Sequence, residues 1–451
     1  MFQANPSDLA SALALIAQPL KTTPDDYDIL LDSIGDARLV LIGEASHGTH
    51  EFYQERALIT RRLIEEKGFE AVAVEADWPD AYRVNRFVKG EGDVLEASDP
   101  LSGFRRFPQW MWRNTEVLDF AVWLRQWNDS LSDHRPKTGF YGLDLYGLHA
   151  SIDAVLRYLD RVDPEAALRA RERYACFEGA KSDATVYGYE ASLGLTESCE
   201  EEALRQLVEM RRIATERLAG QGRLDGDDQF EAEQNARLIL DAERYYRTMF
   251  RGRVDAWNLR DRHMADTLDA LAEHLALQRG GAVPAKVVVW EHNSHLGDAR
   301  ATEFGEWGEF NVGQLMRERH GKQVYLLGMT TYTGNVMAAS DWGAAAESIR
   351  VRPALPNSYE ALFHDTGIER FFLDLRLDNE VIETLAETRP ERAIGVIYRP
   401  ETERASHYFH SRLPAQFDGL LHFDHTHAVD PLGPPEPRLG DEVPETFPSA
   451  V

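Results

Sequence analysis

Arg38-Leu-Val-Leu-Ile-Gly-Glu-Ala-Ser-His-Gly-Thr-His50 joins an uninterrupted apolar run to a dense group of polar side chains. The run Leu39–Ile42 predicts a strand that is buried on both faces, as in the parallel sheets of α/β proteins. The run stops at Gly43, and an acid, a hydroxyl and two imidazoles follow at once: Glu44, Ser46, His47 and His50. Ligands of open α/β sheets bind beyond the carboxyl ends of the strands, so this loop is where we expect chemistry.

Similar apolar runs recur along the chain, separated mostly by segments with helical periodicity. They are Ala71–Val74, Thr138–Leu143, Lys286–Trp290, Gln323–Met329, Phe371–Leu375, Ala393–Ile397 and Gly419–Phe423. Strands that alternate with helices are typical of an α/β domain. The sequence therefore predicts an α/β fold with a mostly parallel β-sheet flanked by helices.

The alternation is interrupted by a long stretch with helical periodicity alone. We predict a first part of the α/β core over residues 1–149, a helical insertion over 150–280 and a second part of the core over 281–430. The insertion would form a lid or wall over the carboxyl edge of the sheet. Residues 431–451 are rich in proline and acids, which predicts a disordered tail.

The formal net charge of −27 excludes several classes of partner. Such a field repels phosphate backbones, so neither nucleic acid nor an anionic membrane is an expected partner. Cys176 and Cys199 are too few for a disulfide framework and fit a reducing compartment. The amino terminus lacks the pattern of a signal peptide, and no apolar run is long enough to span a bilayer. We expect a cytoplasmic protein.

Other predicted strands also end in acids or histidines. Glu75, Asp144 and the group Glu291, His292 and His295 each follow an apolar run. Parallel strands end at the same sheet edge, so these groups are expected near His47. An imidazole is a suitable general base because its unperturbed pKa is about 6.5.

The residues leave several types of chemistry open. No glycine-rich nucleotide motif is present, so no cofactor is expected. His47, Glu75, His292 and His295 are of the right types for a metal-dependent hydrolase, although no compact ligand motif exists. Ser46 before Gly48 partly resembles a nucleophile elbow, but Glu44 stands where that motif has glycine. A binding protein for a small ligand is the fourth alternative.

Seven motifs, in this order and spacing, resemble the erythromycin esterase family. They are Gly43-Glu-x-Ser-His47-Gly, Arg56, Gly68-Phe69 leading to Glu75, Asn258-Leu-Arg-Asp261, His292-Asn-x-His295, Gly297-Asp-Ala-Arg300-Ala-Thr and Gly334-Asn-Val-Met-Ala-Ala-Ser340. The resemblance extends from about Leu30 to Pro431. It implies an α/β core with a helical insertion, and hydrolysis of an ester or lactone by activated water without a covalent acyl-enzyme.

By the same resemblance His47 is the general base, supported by Glu44, Arg56, Glu75 and His292. Either Glu44 or Glu75 would orient the imidazole, as the acid of a triad does. Arg56 or a protonated His292 would stabilise the oxyanion. The strand ends and the motifs together give a further set expected to bind substrate or support the site: Ser46, His50, Asp144, Asn258, Arg260, Asp261, Asn293, His295 and Arg300. The expected partner is a small-molecule ester or lactone, with no metal.

Overall fold

A computed structural model describes residues 6–21, 23–91, 99–132, 135–180, 184–221, 226–281 and 283–433. Residues 434–451, which make up most of the predicted tail, lie outside the described residues. The strands are β1 Gln18–Pro19, β2 Leu39–Ile42, β3 Ala71–Asp77, β4 Gly139–Asp144, β5 Val287–Trp290, β6 Val324–Ala339, β7 Ala346–Val351, β8 Arg370–Asp374, β9 Arg389–Arg392, β10 Tyr408–Ser411 and β11 Gly419–Thr426.

Nine strands of the described chain form one mixed sheet in the order β1-β8-β11-β6-β2-β5-β3-β4, with β7 paired to β6. The six consecutive strands from β11 to β4 are parallel. The remaining pairings of this sheet, β1 with β8, β8 with β11 and β7 with β6, are antiparallel. Strands β9 and β10 form a separate antiparallel pair. The predicted α/β fold with a mostly parallel sheet is confirmed.

One predicted strand is wrong. Ala393–Ile397 makes only isolated bridges, from Ile394 to Ser46 and from Ile397 to Ala339, and the strand β9 lies just before it. The apolar run is explained by burial instead, because Ile394 packs in a small core with neighbours from β6 and β7. The segment thus crosses the carboxyl ends of the central strands without joining the sheet.

The helices surround this sheet. They are Pro6–Ile16, Asp28–Ile34, His50–Lys67, Trp78–Lys89, Gln109–Trp112, Thr115–Ser130, Leu148–Val162, Pro164–Tyr174, Ala184–Ser192, Glu200–Gln221, Gly226–Thr248, Arg253–Gln278, Asn293–Leu296, Glu303–Glu306, Val312–His320, Tyr359–His364, Glu380–Leu385, Glu403–Ser406 and Leu413–Gln416. Between β4 and β5 the described residues contain helices and no strand. The division into domains stays a prediction. No described helix is both long and apolar enough to cross a bilayer.

Alternating side chains of each central strand enter two cores, one on each face of the sheet. Leu39 and Leu41 join one core, whereas Val40 and Ile42 join the other. From β2 the chain passes β5 to reach β3. From the adjacent β5 it passes β2 to reach β6, in the opposite direction along the sheet. This divergence is the topological switch point at which α/β sheets bind ligands.

Cys176 and Cys199 form a disulfide with a Cα–Cα distance of 6.0 Å. This pairing was not expected from two cysteines. It joins two segments of the helical stretch between β4 and β5.

Candidate active site

The loop after β2 is held by backbone hydrogen bonds from distant segments. Ile394 N–H donates to Ala45 O at 2.8 Å, and His47 N–H donates to Ile394 O at 3.1 Å. Gly48 has a φ of 69°, and a Cβ there would lie 2.3 Å from Met337 O. Only glycine permits this close approach, so the backbone that carries His47 is rigidly placed.

Glu44 contacts the ring of His47. His47 Nδ1 lies 2.9 Å from Glu44 Oε1, and Arg56 Nη2 lies 3.1 Å from Glu44 Oε2. Arg56 is fully buried, and its guanidinium carbon lies 4.3 Å from the ring centre of Tyr53. Of the two carboxylates considered from the sequence, Glu44 therefore contacts the imidazole. Arg56 supports Glu44 from behind.

Arg260 joins the ends of two neighbouring strands. Its Nε and Nη2 donate to Asp144 at 3.0 and 2.7 Å, and Nη2 also donates to Glu75 Oε1 at 2.8 Å. The other Glu75 oxygen accepts the backbone N–H of His292 at 2.9 Å. Burial alone would raise the pKa of Glu75, but the nearby histidines and Arg260 outweigh it and hold this pKa below its ordinary value. Glu75 is therefore a carboxylate that ties β3 to the end of β5.

His292 is a neutral imidazole. Burial, together with the neighbouring His47, lowers the pKa of His292 to about 3. The two rings lie 4.9 Å apart, and Nδ1 of His292 accepts the Ser294 backbone N–H at 3.2 Å. The lowered pKa does not favour a protonated His292, one of the two groups expected to stabilise the oxyanion. Arg56 is the other group, and it does not line the cleft.

His295 lies behind this network. Its ring stacks on Trp257 at 4.5 Å, and its Nδ1 lies 2.9 Å from Asp261 Oδ1. Burial lowers the pKa of His295, but the carboxylates of Asp261 and Glu75 outweigh it and raise this pKa. His295 and Asp261 therefore support the site from a buried layer.

A cleft opens above these strand ends. Its lining includes His47, Glu75, Asp144 and Arg260 from the predicted set. No protein group hydrogen-bonds to Nε2 of His47 among the described residues, which leaves that nitrogen available to a ligand.

One candidate with a hydroxyl group, Ser46, and one with an imidazole, His50, lie outside this lining. Ser46 is buried, with its Oγ 2.5 Å from Thr49 Oγ1. His50 pairs with Glu116 at 2.6 Å, and this hydrogen bond raises the pKa of His50 although partial burial opposes it. The structure therefore does not present Ser46 to the cleft as a nucleophile.

Three further candidates have structural contacts elsewhere. Asn258 bridges the backbone of Gly308 and Phe310, and Asn293 donates to Met329 O at 2.8 Å. Arg300 is half-exposed and pairs with the aspartate two positions before it. None of the three lines the cleft.

Most of the residues that form the cleft wall were not predicted from the sequence. The missed lining residues are mainly aromatic and apolar, with three charged side chains, and they are Ala76, Asp77, Asp80, Phe104, Arg106, Phe107, Pro108, Met111, Trp112, Tyr146, Trp342 and Val396. The aromatic density of the segment 104–112 is the signal that could have identified it.

The donor set considered for a metal ion does not converge. In the part of the chain that the structure describes, no group of three or more histidines, cysteines or carboxylates is arranged to hold a metal. Nδ1 of His292 and both ring nitrogens of His295 already contact other protein groups. The geometry therefore gives the metal-dependent alternative no support.

A family model described as erythromycin esterase matches residues 64–426 of this chain. The chain belongs to the erythromycin esterase family. Erythromycin esterase type II of Escherichia coli is 24% identical over 419 residues, which cover 89% of this chain and 92% of that protein. As a member of the erythromycin esterase family, the protein is a hydrolase of the esterase kind.

Solved structures share the fold of this erythromycin esterase family member. A Bacillus cereus protein is 24% identical with a TM-score of 0.75, and the match covers 95% of this chain and 100% of that one. A mutant of erythromycin esterase EreC in its open conformation is 17% identical with a TM-score of 0.65, over 91% and 96% of the two chains.

Proposed function

We propose that the protein hydrolyses a carboxylic ester or macrolactone, with His47 as the general base that activates water. The observation that carries the proposal is the position of His47. Its ring lines the cleft while Nδ1 contacts Glu44 at 2.9 Å. The name of the Escherichia coli relative, erythromycin esterase type II, supports including macrolides among the substrates.

In this mechanism the Nδ1–H group of His47 donates a hydrogen bond to Glu44, so the free lone pair of the imidazole lies on Nε2. Water attacks the carbonyl carbon while Nε2 takes its proton. The resulting tetrahedral intermediate collapses with cleavage of the bond to the alkoxy oxygen, and that oxygen takes the proton from His47. The products are an acid and an alcohol, and in a lactone both groups remain on one molecule.

Glu44 stabilises the imidazolium that forms when His47 takes the proton. Arg56 contacts the far oxygen of Glu44 and compensates the charge of this fully buried carboxylate. A positioned base contributes about 10²–10⁴-fold to the rate. In this mechanism neither Arg56 nor a protonated His292 stabilises the oxyanion.

A hydrolysis screen tests the proposal. Erythromycin, aryl esters and small lactones are incubated with the wild type, His47→Ala and Ser46→Ala, and the acid released is titrated. We expect His47→Ala to lose about 10²–10⁴-fold in kcat. Ser46→Ala should keep most of the activity, because Ser46 lies outside the cleft lining.

Three results would contradict the mechanism. Loss of activity in Ser46→Ala, with a phosphonate adduct at Ser46, would favour a serine hydrolase. A stoichiometric metal whose removal abolishes turnover would favour a metal-dependent hydrolase. Tight binding of intact substrates without turnover would favour a binding protein.

A further inference from the structure

The charges that line the cleft do not balance. Four carboxylates and two guanidinium groups form part of the lining. Glu75 and Asp144 share Arg260, and Asp77 pairs with Arg106 at 3.0 Å.

The fourth carboxylate is Asp80, in the first turn of the helix Trp78–Lys89. Among the described residues no cation lies within 4.0 Å of its oxygens, and no protein donor hydrogen-bonds to them. The helix amino terminus favours a negative charge there. The side chain of the N-cap residue, Asp77, accepts no hydrogen bond from the backbone N–H groups of the first turn. Asp80 therefore brings one unpaired carboxylate to the cleft.

The surroundings of Asp80 remove much of its water. Burial raises the pKa of Asp80 to about 6, although Arg106, Arg83 and Arg105 lower it. At neutral pH the side chain is thus mainly ionised. A partly desolvated carboxylate with which none of the nearby arginines forms an ion pair costs free energy, and a cation supplied by a ligand would recover it.

Aromatic rings line the same cleft. Phe107 and Trp342 have ring centres 4.8 Å apart, and Phe104 and Trp112 have ring centres 6.4 Å apart. Aromatic faces attract organic cations, whereas a small metal ion needs several oxygen ligands. An alkylammonium group fits both features, because its charge pairs with a carboxylate while its carbon shell contacts the rings.

We propose that Asp80 and these aromatic rings form a subsite for an alkylammonium group on the substrate. The inference rests on the proposed function for the rest of that substrate, an ester or lactone carbonyl placed at His47. Recognition of the cation is nevertheless measurable without turnover.

Binding of choline and 3,3-dimethylbutanol tests the subsite. The two alcohols have the same shape, and only choline is charged. Titrations followed by tryptophan fluorescence would report on Trp112 and Trp342, which line the cleft. The wild type should bind choline at least about tenfold more tightly than 3,3-dimethylbutanol. This ratio corresponds to the free energy of a cation–π contact with a desolvated ion.

Asp80→Asn is the matched variant, because it removes the charge and keeps the shape. The ratio of the two affinities should fall toward one. Asp153→Asn makes the same change at an exposed position of the helix Leu148–Val162 and should retain the wild-type ratio. Equal affinities for the two alcohols in the wild type would overturn the proposal even if Asp80→Asn did not fold. An unchanged ratio in folded Asp80→Asn would also overturn it.

Hydrolysis separates this inference from the proposed function. Benzoylcholine and 3,3-dimethylbutyl benzoate differ by the same charge. Selective binding of choline, with no turnover of either ester or of the erythromycin, aryl esters and lactones of the hydrolysis screen, would refute the proposed function and support the subsite. Turnover of both esters at the same kcat/KM would refute the subsite and support the proposed function.

Discussion

Arg260→Met tests whether the buried charge network holds the site together. Methionine has a similar length but cannot pair with Glu75 or Asp144. Arg260 donates three hydrogen bonds to these carboxylates, at 3.0, 2.7 and 2.8 Å. All three side chains are buried. The substitution therefore leaves two buried negative charges without their cation.

Removing one partner of a buried ion pair costs about 3–5 kcal/mol of unfolding free energy. A chain of 451 residues has a melting entropy of about 0.9 kcal/mol per kelvin. We therefore expect Arg260→Met to lower the melting temperature by about 3–5 °C at pH 8. Differential scanning calorimetry measures this shift directly.

The pH dependence has a definite sign. Arg260 is one of the groups that hold the pKa of Glu75 down, so without it Glu75 binds a proton more readily in the folded variant than in the folded wild type. The deficit of Arg260→Met should therefore shrink as the pH falls from 8 to 5.

Arg161→Met is the matched control, because Arg161 pairs with Asp228 on the surface, with 62% and 57% of the two side chains exposed. Its cost should stay within about 1 kcal/mol. The reasoning is refuted if Arg260→Met costs no more than this control.

Substitutions of Gly48, Glu44 and Glu391 test three other features of the structure. Gly48→Ala should destabilise by about 1–3 kcal/mol, because its positive φ and the close carbonyl both oppose a Cβ. Gly68→Ala, with a similar φ of 71° and open space around it, should cost less in urea unfolding. Glu44→Gln should lower kcat by about 10²-fold or more with a smaller change in KM, because the imidazolium of His47 loses its carboxylate; an unchanged kcat in steady-state assays would contradict this. Burial raises the pKa of Glu391 to about 8, so the unfolded chain releases this proton at lower pH and stability falls as the pH rises through about 4.5–8. Glu391→Gln should flatten that fall in melting curves taken across this range.

The strands that could be predicted are those buried on both faces. Leu39–Ile42 matches β2 residue for residue, because every side chain of β2 enters one of the two cores. Of the strands at the edges of the sheet, β1 and β7 gave no comparable signal, whereas β4 is buried along its length and was predicted. Gln18–Pro19 has two residues, both exposed, and Ala346–Val351 buries only its last side chain. Ala393–Ile397 misled because burial of an apolar run does not require sheet pairing.

The strand-end rule selected residues that the structure places together. Glu75, Asp144 and His292 follow strands on one side of the switch point, so parallel pairing brings them together. The same rule selected Glu291, which the structure buries away from the cleft lining.

The cleft wall could not be derived in this way. The segment 104–112 joins the site through tertiary packing of a loop and a short helix, and neither has a periodic sequence signal. Which carboxylate orients His47 was equally out of reach, because it depends on a distance of a few ångströms. Arg300 was selected by motif similarity alone, and its side chain pairs beside its own backbone.

The order of synthesis gives the clamp on the His47 loop a further meaning. Ile394 and Val429 hold Ala45, His47 and Gly48 through backbone hydrogen bonds. A ribosome makes His47 and Glu44 hundreds of residues before these clamping residues. A nascent chain therefore carries the reactive groups without the frame that aligns them. Such long-range closure slows folding, and it also leaves the proposed base unaligned until the clamping segments have been made.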